Sequence, residues 1–356
     1  SEYIEYLIDD WINSNKLGRG DGWHSYTISL RIRNLIWIYR FIPELQTKKR
    51  LNSLWIQLNW LNSHIEYFHF GNHILENLIA LVFVSLQFKG SKAEKIYKIN
   101  LNRLKKELNI QIMNDGGHIE RSAVYHLLIL DRLVELSYLI KLTGQKEIKW
   151  LSLKIKKMED WTKKIQLLNN RFPKFNDSAL NISSDLDLVL YKSKTLKKRN
   201  LTKNDILKTL LIKKLKSYKN QNLSNINEKK NIKTIILKDT GWTIFKVNNS
   251  WEITFKWGES GYKKSPGHIN ADLLSINIYF KGIPIIVGSG TSIYENSTKR
   301  SFERSSASKN SIQLADFKNA RNSKSIKWID SIETWGSFGT GRVPKTINYN
   351  FEKIHN

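Results

Sequence analysis

Apolar residues recur at three- and four-residue steps from the start of the chain to about Lys216, and at two-residue steps from about Ile232 onward. In TISLRIRNLIWIYRF, Ile28, Ile32, Leu35, Ile36 and Tyr39 fall on one stripe, as in a helix that gives one face to a core. The same period runs through SLWIQLNWLNSHIEYF, HILENLIALVFVSLQF, AEKIYKINLNRLKKELNIQIM, AVYHLLILDRLVELSYLIKL and EIKWLSLKIKKMEDWTKKIQLL. Segments of similar length joined by short connections predict antiparallel helical hairpins in series. YKNQNLSNINEKKN, Tyr218–Asn231, is polar, charged and nearly free of large apolar residues, and it reads as a linker. TIILKDTGWTIFKVNNSWEITFKW then alternates apolar and polar positions, with DTG and NNS at turns. LLSINIYFKGIPIIVGSG predicts a hairpin pivoting on Lys281 and Gly282. The expected organisation is α+β and multidomain: a helical domain over 1–217, a linker over 218–232 and an antiparallel β domain over 233–356.

Composition adds a charge of +26, from 58 Lys+Arg against 32 Asp+Glu, which sets up a field that attracts polyanions or anionic surfaces. AT-rich codon usage, visible in the joint abundance of Lys, Asn and Ile, produces the same excess, so charge alone names no partner. The lysines are spread along the helices and no basic-aromatic motif stands out, which argues against a nucleic-acid module. With no cysteine there is neither a disulfide framework nor a thiolate site. The longest apolar run, Leu78–Phe88, falls short of the ~20 residues that span a bilayer, so it is expected to be a buried helix. The opening from Ser1 lacks a charged-then-apolar leader, so any targeting segment is expected to have been removed or never present.

Three polar islands carry candidate chemistry. In NDGGHIERSAVYH, Asn114–His126, Gly116 and Gly117 are expected to end one helix near Met113, and Glu120, Arg121 and Ser122 to open the next. Tyr125 and His126 then fall in its first turns, where a phenol beside Arg121 would have its anion stabilised, as a tyrosine base requires. In FHFGNHILEN, Gly71 and Asn72 look like a helix cap with His73 in the first turn. His24, His64, His69, His73, His118 and His126 all precede residue 127, and the ends of helical hairpins gather on one rim, which predicts a shared cleft. In SPGHINADLLS, His268, Asn270 and Asp272 alternate on entry to a strand and so would share a face. One imidazole and one carboxylate are too few to specify a metal. Lys309 and Asn310 in SASKNSIQL, and Ser289–Tyr294 in SGTSIY, add polar groups near strand ends.

Taken in order, GWHSYTISLRIRN, GNHILEN, NDGGHIERSAVYH, PGHINADLLS, VGSGTSIY and ASKNSIQL resemble the heparinase II/III superfamily of polysaccharide lyases, over Gly22 to about Leu314. The resemblance implies an incomplete (α/α) toroid of helical hairpins followed by an antiparallel β-sandwich, here shorter than a complete family sandwich requires. It implies β-elimination across a uronic acid in an anionic polysaccharide such as a glycosaminoglycan, and a bacterial, periplasmic or extracellular setting. By similarity, Asn72 and His73 neutralise the uronate carboxylate, His73 doubles as a candidate base, Tyr125 protonates the leaving oxygen, and His268 reaches the cleft from the sandwich. Trp23, Glu120, Arg121, His126 and Tyr294 are the implied substrate contacts. Family members with a structural metal in the sandwich show ligands where this chain has Asn270, Gly288 and Lys309, so no metal or other cofactor is expected there.

Two other classes compete. The lost metal positions and shortened sandwich suit a non-catalytic or divergent glycan-binding protein accompanying capsule or surface-polysaccharide synthesis. A glycosidase would need paired carboxylates, for which Glu66, Glu76, Asp115 and Glu120 are available without a spacing that singles out a pair.

Overall fold

The computed structural model describes residues 2–212, 231–316, 327–330 and 332–343, so the linker expected over 218–232 falls almost wholly outside the described residues. The chain divides into two compact units. One comprises 1–111, 131–155 and 192–212; the other comprises 112–130, 156–191 and 213–356.

The first unit is helical. It contains α1 (Glu2–Ser14), α2 (Ser25–Phe41), α3 (Lys48–Ser63), α4 (Gly71–Ser85) and α5 (Ser91–Gln111), followed by the later turns of α6 (Ala123–Leu142), the start of α7 (Lys149–Ile165), the end of α8 (Leu186–Leu196) and α9 (Lys203–Leu211). Helix α4 is the central element: it packs on α2 and α5, and apart from His73 its residues are buried. That explains why LIALVFVSLQF carries no polar stripe, and among the described residues no helix is long and apolar enough to cross a membrane. Helix α2 buries Ile28, Ile32, Ile36 and Tyr39 as its spacing predicts, together with Arg33. The Arg33 guanidinium meets Glu135 at 2.6 Å, Arg132 meets Glu76 at 2.9 Å, and Lys192 meets Asp131 at 2.8 Å. These ions are buried in pairs, which is the condition under which a helical core tolerates charge.

The second unit is built on an antiparallel sheet of β1 (Ile232–Leu237), β2 (Trp242–Val247), β3 (Trp251–Lys256), β4 (Ile276–Phe280) and β5 (Ile283–Ile286), paired in sequence order. The turns fall where the sequence predicts them. Asn248 and Asn249 both adopt φ of 53°, and Lys281 (φ 48°) and Gly282 (φ 74°) close the β4–β5 hairpin as a two-residue, left-handed turn. A core of Leu237, Trp242, Ile244 and Tyr279 from the sheet packs with Trp161, Ile165 and Phe175. Helix α10 (Thr298–Arg304) and the short ribbons β6 (Gln313–Asp316) with β7 (Lys327–Asp330), and β8 (Thr334–Trp335) with β9 (Gly339–Thr340), complete it.

The expected strand entry at His268 is not found. Pro266–His268 is a 3₁₀ turn and β4 begins only at Ile276, so His268, Asn270 and Asp272 do not alternate along a strand. Pro266 fixes the turn, and the backbone between it and the sheet bonds partly within itself, with the Ile269 N–H donating to the Pro266 carbonyl and the Asp272 N–H to the Asn270 carbonyl, and partly to distant segments, with the Ala271 N–H donating to the Arg304 carbonyl and the His268 carbonyl accepting from the Asp177 N–H.

Candidate functional site

In the first unit a buried carboxylate collects histidines. Glu66 lies in the connection before α4, with its side chain 3% exposed. Its N–H donates to Asn77 Oδ1 (3.0 Å), and Asn77 Nδ2 donates back to Glu66 Oε2 (3.1 Å) and to Ser29 Oγ (3.0 Å). The other oxygen, Oε1, lies 3.1 Å from His73 Nδ1, 3.5 Å from His24 Nε2 and 4.0 Å from His69 Nε2. Burial pushes the Glu66 carboxyl up, but hydrogen bonds from His73 and Asn77 and the charge of His73 and His24 outweigh it and hold the group below its ordinary value. His69 is pushed down, chiefly by burial and then by repulsion from His73 and His24. The His73 ring packs 4.5 Å from that of Tyr26.

Asn72 is buried in the first turn of α4, and it is not the cap. That place belongs to Phe70, which has φ of 53° and makes no side-chain capping bond. Trp23 is buried between Trp11 and Trp60, with ring centroids 5.7 and 5.6 Å away, which makes it a packing residue where a substrate contact was expected.

In the second unit the NDGGHIERSAVYH stretch is held by close packing. Gly116 has φ of 100°, and a Cβ there would come within 2.4 Å of the Lys157 carbonyl. Asp115 bridges backbone, with Oδ1 accepting from the Gly117 N–H and Oδ2 from the Thr240 N–H. Helix α6 opens at Ala123, later than Glu120, because Arg121 takes φ of 51° and the Ser122 hydroxyl donates to the Asp177 carbonyl at 2.5 Å.

Three expectations for this stretch are corrected. Arg121 does not support a phenolate: its guanidinium donates to the carbonyls of Gly261 and Asp239 and pairs with Glu259 at 3.3 Å. Tyr125 is pushed well above its ordinary value by burial and then by Tyr294 and the Asp177 carboxylate, so it rests as a neutral phenol. His126 is wholly buried against Trp161, with Nε2 at 3.1 Å from the Met158 carbonyl and 2.9 Å from Thr162 Oγ1. Burial, aided by His118, lowers it to about 3, so it is a neutral core imidazole out of reach of a ligand. Glu120 is likewise buried.

Tyr125 sits among groups that can exchange protons. Its hydroxyl is 3.1 Å from that of Tyr294, and its ring lies 4.0 Å from that of His268. His268 Nδ1 donates to Asp177 Oδ2 at 3.0 Å. Asp177 also receives Arg300 through two bonds of 2.8 and 2.7 Å and Thr291 Oγ1 at 3.2 Å. Burial raises the Asp177 carboxyl, but His268 and Arg300 outweigh it and hold it below its usual value. Arg300 lies over the rings of Tyr294 and Phe338, which stack 5.7 Å apart. With Nδ1 committed to a carboxylate, Nε2 is the His268 atom left to take or give a proton. No motif in the sequence distinguishes Asp177, Arg300 or Phe338 from other residues of their kinds.

The family model for the heparinase II/III N-terminus matches residues 2–197, and that for the heparinase II/III-like C-terminal domain matches residues 233–346. The chain belongs to the heparinase II/III family. No curated protein matches it. Among solved structures, it is similar to a heparinase III, with a TM-score of 0.64 and 17% identity over 88% of this chain and 51% of that one. It is also similar to the heparan sulfate lyase HepC from Pedobacter heparinus, with a TM-score of 0.58 and 18% identity over 88% of this chain and 49% of that one. Both likenesses are of fold: an incomplete α/α toroid of hairpins followed by antiparallel β-structure, spanning about half the length of those chains.

Asn270, Gly288 and Lys309, where the sequence led us to expect no metal, lie in the second unit. Lys309 packs over Gly288, where a Cβ would be 3.2 Å from the Lys309 Cδ. Lys309 Nζ, and both side-chain polar atoms of Asn270, are buried without a hydrogen-bond partner among the described residues. Asp272, the carboxylate of the same segment, is bound to Lys256 Nζ at 2.5 Å. An ammonium, an amide and a glycine with a carboxylate already neutralised make a poor donor set for a cation.

Proposed function

We propose that the chain is a polysaccharide lyase that cleaves a uronate-containing anionic polysaccharide by β-elimination. The observation that carries this is the Tyr125 hydroxyl, protonated at rest, bonded to Tyr294 and packed on a histidine whose Nδ1 is held by Asp177. In β-elimination a base removes the C5 proton, the electron pair forms the C4–C5 double bond, and the C4–O bond breaks with its oxygen taking up a proton. The reaction therefore needs a base, an acid and something to disperse charge on the carboxylate. Tyr125 supports the acid role, because a phenol pushed upward keeps its proton until an alkoxide forms. His268 Nε2 is suited to proton exchange beside it. Asn72 and His73 are the candidates for carboxylate neutralisation, with the ionised Glu66 orienting His73 through Nδ1, and His73 is a second candidate base. Tyr294, whose hydroxyl bonds that of Tyr125, is the candidate substrate contact beside it.

The net charge of +26 suits a polyanionic substrate, and a periplasmic or extracellular setting would match one. No step uses a metal, and we propose none at the Asn270, Gly288 and Lys309 positions, on the donor chemistry given above. Those same departures favour a second reading, a divergent glycan-binding protein without catalysis.

The deciding experiment is the ultraviolet absorbance of unsaturated uronate, followed with purified protein on heparan, hyaluronan, alginate and bacterial capsule polymers. Product is expected with wild type. Tyr125→Phe should lower the rate by about 10²–10⁴, the usual weight of a positioned proton donor, while polymer binding is kept. A variant that retained most of its rate would remove Tyr125 from the mechanism. Silence across the panel with binding intact would establish the non-catalytic reading.

A further inference from the structure

Three imidazoles converge on one oxygen of Glu66, which is more than a structural ion pair needs. A single carboxylate balances at most one imidazolium, and one histidine, His73, already bonds Oε1 at 3.1 Å. His24 Nε2 at 3.5 Å and His69 Nε2 at 4.0 Å are too distant for good hydrogen bonds to that oxygen, yet the ligand atoms of His24, Glu66 and His69 all lie within 4.8 Å of one another. Ligands about 2.0–2.2 Å from a tetrahedral ion are separated from each other by about 3.3–3.6 Å. The His24 separation of 3.5 Å from Oε1 falls within that edge and the His69 separation of 4.0 Å lies just beyond it, so the three atoms need to draw together only slightly to share one centre. The carboxylate is preset for this: Asn77, itself anchored on Ser29, holds Oε2 and leaves Oε1 directed at the rings. His24 and His69 are about half exposed, at 50% and 48%, which gives an ion a way in.

We propose that His24 Nε2, Glu66 Oε1 and His69 Nε2 form a binding site for a late first-row divalent metal ion of the zinc type. Two nitrogen donors exclude calcium and magnesium, which take oxygen ligands. Three protein ligands leave a fourth position for water or for an oxygen of an anionic ligand. His73 keeps its bond to the coordinated oxygen and orients it. His24, Glu66 and His69 lie in the first unit, and none of them is among the Asn270, Gly288 and Lys309 positions.

The test is calorimetric titration of the full, chelator-stripped chain with zinc chloride in the absence of polymer, alongside cobalt(II) titration followed by its visible absorption. One equivalent of zinc is expected to bind. His24→Ala and His69→Ala should each weaken it by at least about 10–100-fold, since disturbing even the groups behind a ligand costs that much. His64→Ala, at an exposed histidine outside the cluster, should leave it unchanged, and calcium chloride should give no binding. Circular dichroism of the variants checks that they remain folded. No saturable zinc binding, binding that survives both His24→Ala and His69→Ala, or equal binding of calcium would overturn the proposal. Because metal binding is read without substrate and lyase activity by product absorbance, either can fail while the other stands.

Discussion

Asp177→Ala probes the arrangement around Tyr125 through stability as well as chemistry. The wild-type carboxylate receives two bonds from Arg300, one from His268 and one from Thr291, and both Asp177 and Arg300 are fully buried. Removing it strands the Arg300 guanidinium with the Ser337 carbonyl as its remaining hydrogen-bond partner among the described residues. Breaking a buried pair in this way costs about 3–5 kcal/mol, most of it the penalty of the orphaned charge. At roughly 2–4 °C per kcal/mol for a domain of this size class, the melting temperature should fall by on the order of 10 °C. The double variant Asp177→Ala/Arg300→Met removes the orphan and should recover part of that loss. Urea denaturation and thermal melts of the three proteins measure both effects. Because the folded Asp177 carboxyl lies below its unfolded value of about 3.9, its contribution is complete above that pH and disappears as pH falls through the lower folded value. A loss below about 1 kcal/mol in the single variant, or a double variant less stable than the single, would refute the pairing and with it the orienting role of Asp177 on His268.

Asn72→Ala should lower lyase turnover by about 10² if its amide disperses carboxylate charge. Since Phe70 holds the cap position, unchanged turnover would leave Asn72 without a role in the reaction. His126→Phe should leave polymer affinity of the folded protein unchanged, as binding assays can check. It should also flatten the acid side of the stability profile: wild-type His126, lowered to about 3, makes stability fall by roughly 1.4 kcal/mol per pH unit from about 6.5 downward, and a variant profile as steep as wild type would contradict its burial as a neutral ring. Lys309→Met removes a buried ammonium that has no hydrogen-bond partner among the described residues, and should raise stability by roughly 1 kcal/mol in denaturant titrations. A loss of that size would show that Lys309 neutralises the nearby Asp272, Asp177 and Glu303 carboxylates.

What the sequence discloses here is what is local. The stripe in TISLRIRNLIWIYRF, the apolar run of α4 and the Lys281–Gly282 turn depend on neighbours a few positions away, and each forms as its pattern predicts. Roles that depend on a distant partner are not written in the same way. Tyr125 and His268 are conspicuous in their motifs, whereas the carboxylate that orients His268 lies 91 positions earlier in a segment of ordinary composition, and the arginine that neutralises that carboxylate lies 123 positions after it.

Motif membership also overstates proximity to chemistry. His126 adjoins Tyr125 in the chain, but on a helix successive side chains diverge by about 100°. The turn that presents Tyr125 to Tyr294 therefore sends His126 into the core against Trp161. Arg121 is diverted for a related reason: its left-handed backbone conformation ends the loop before α6, and its side chain is spent on the carbonyls of Gly261 and Asp239. Glu66 shows the converse. It has no motif of its own, yet burial beside Asn77 fixes one oxygen and leaves the other to His24, His69 and His73, so the histidines that sequence order scatters over 50 positions meet at one atom.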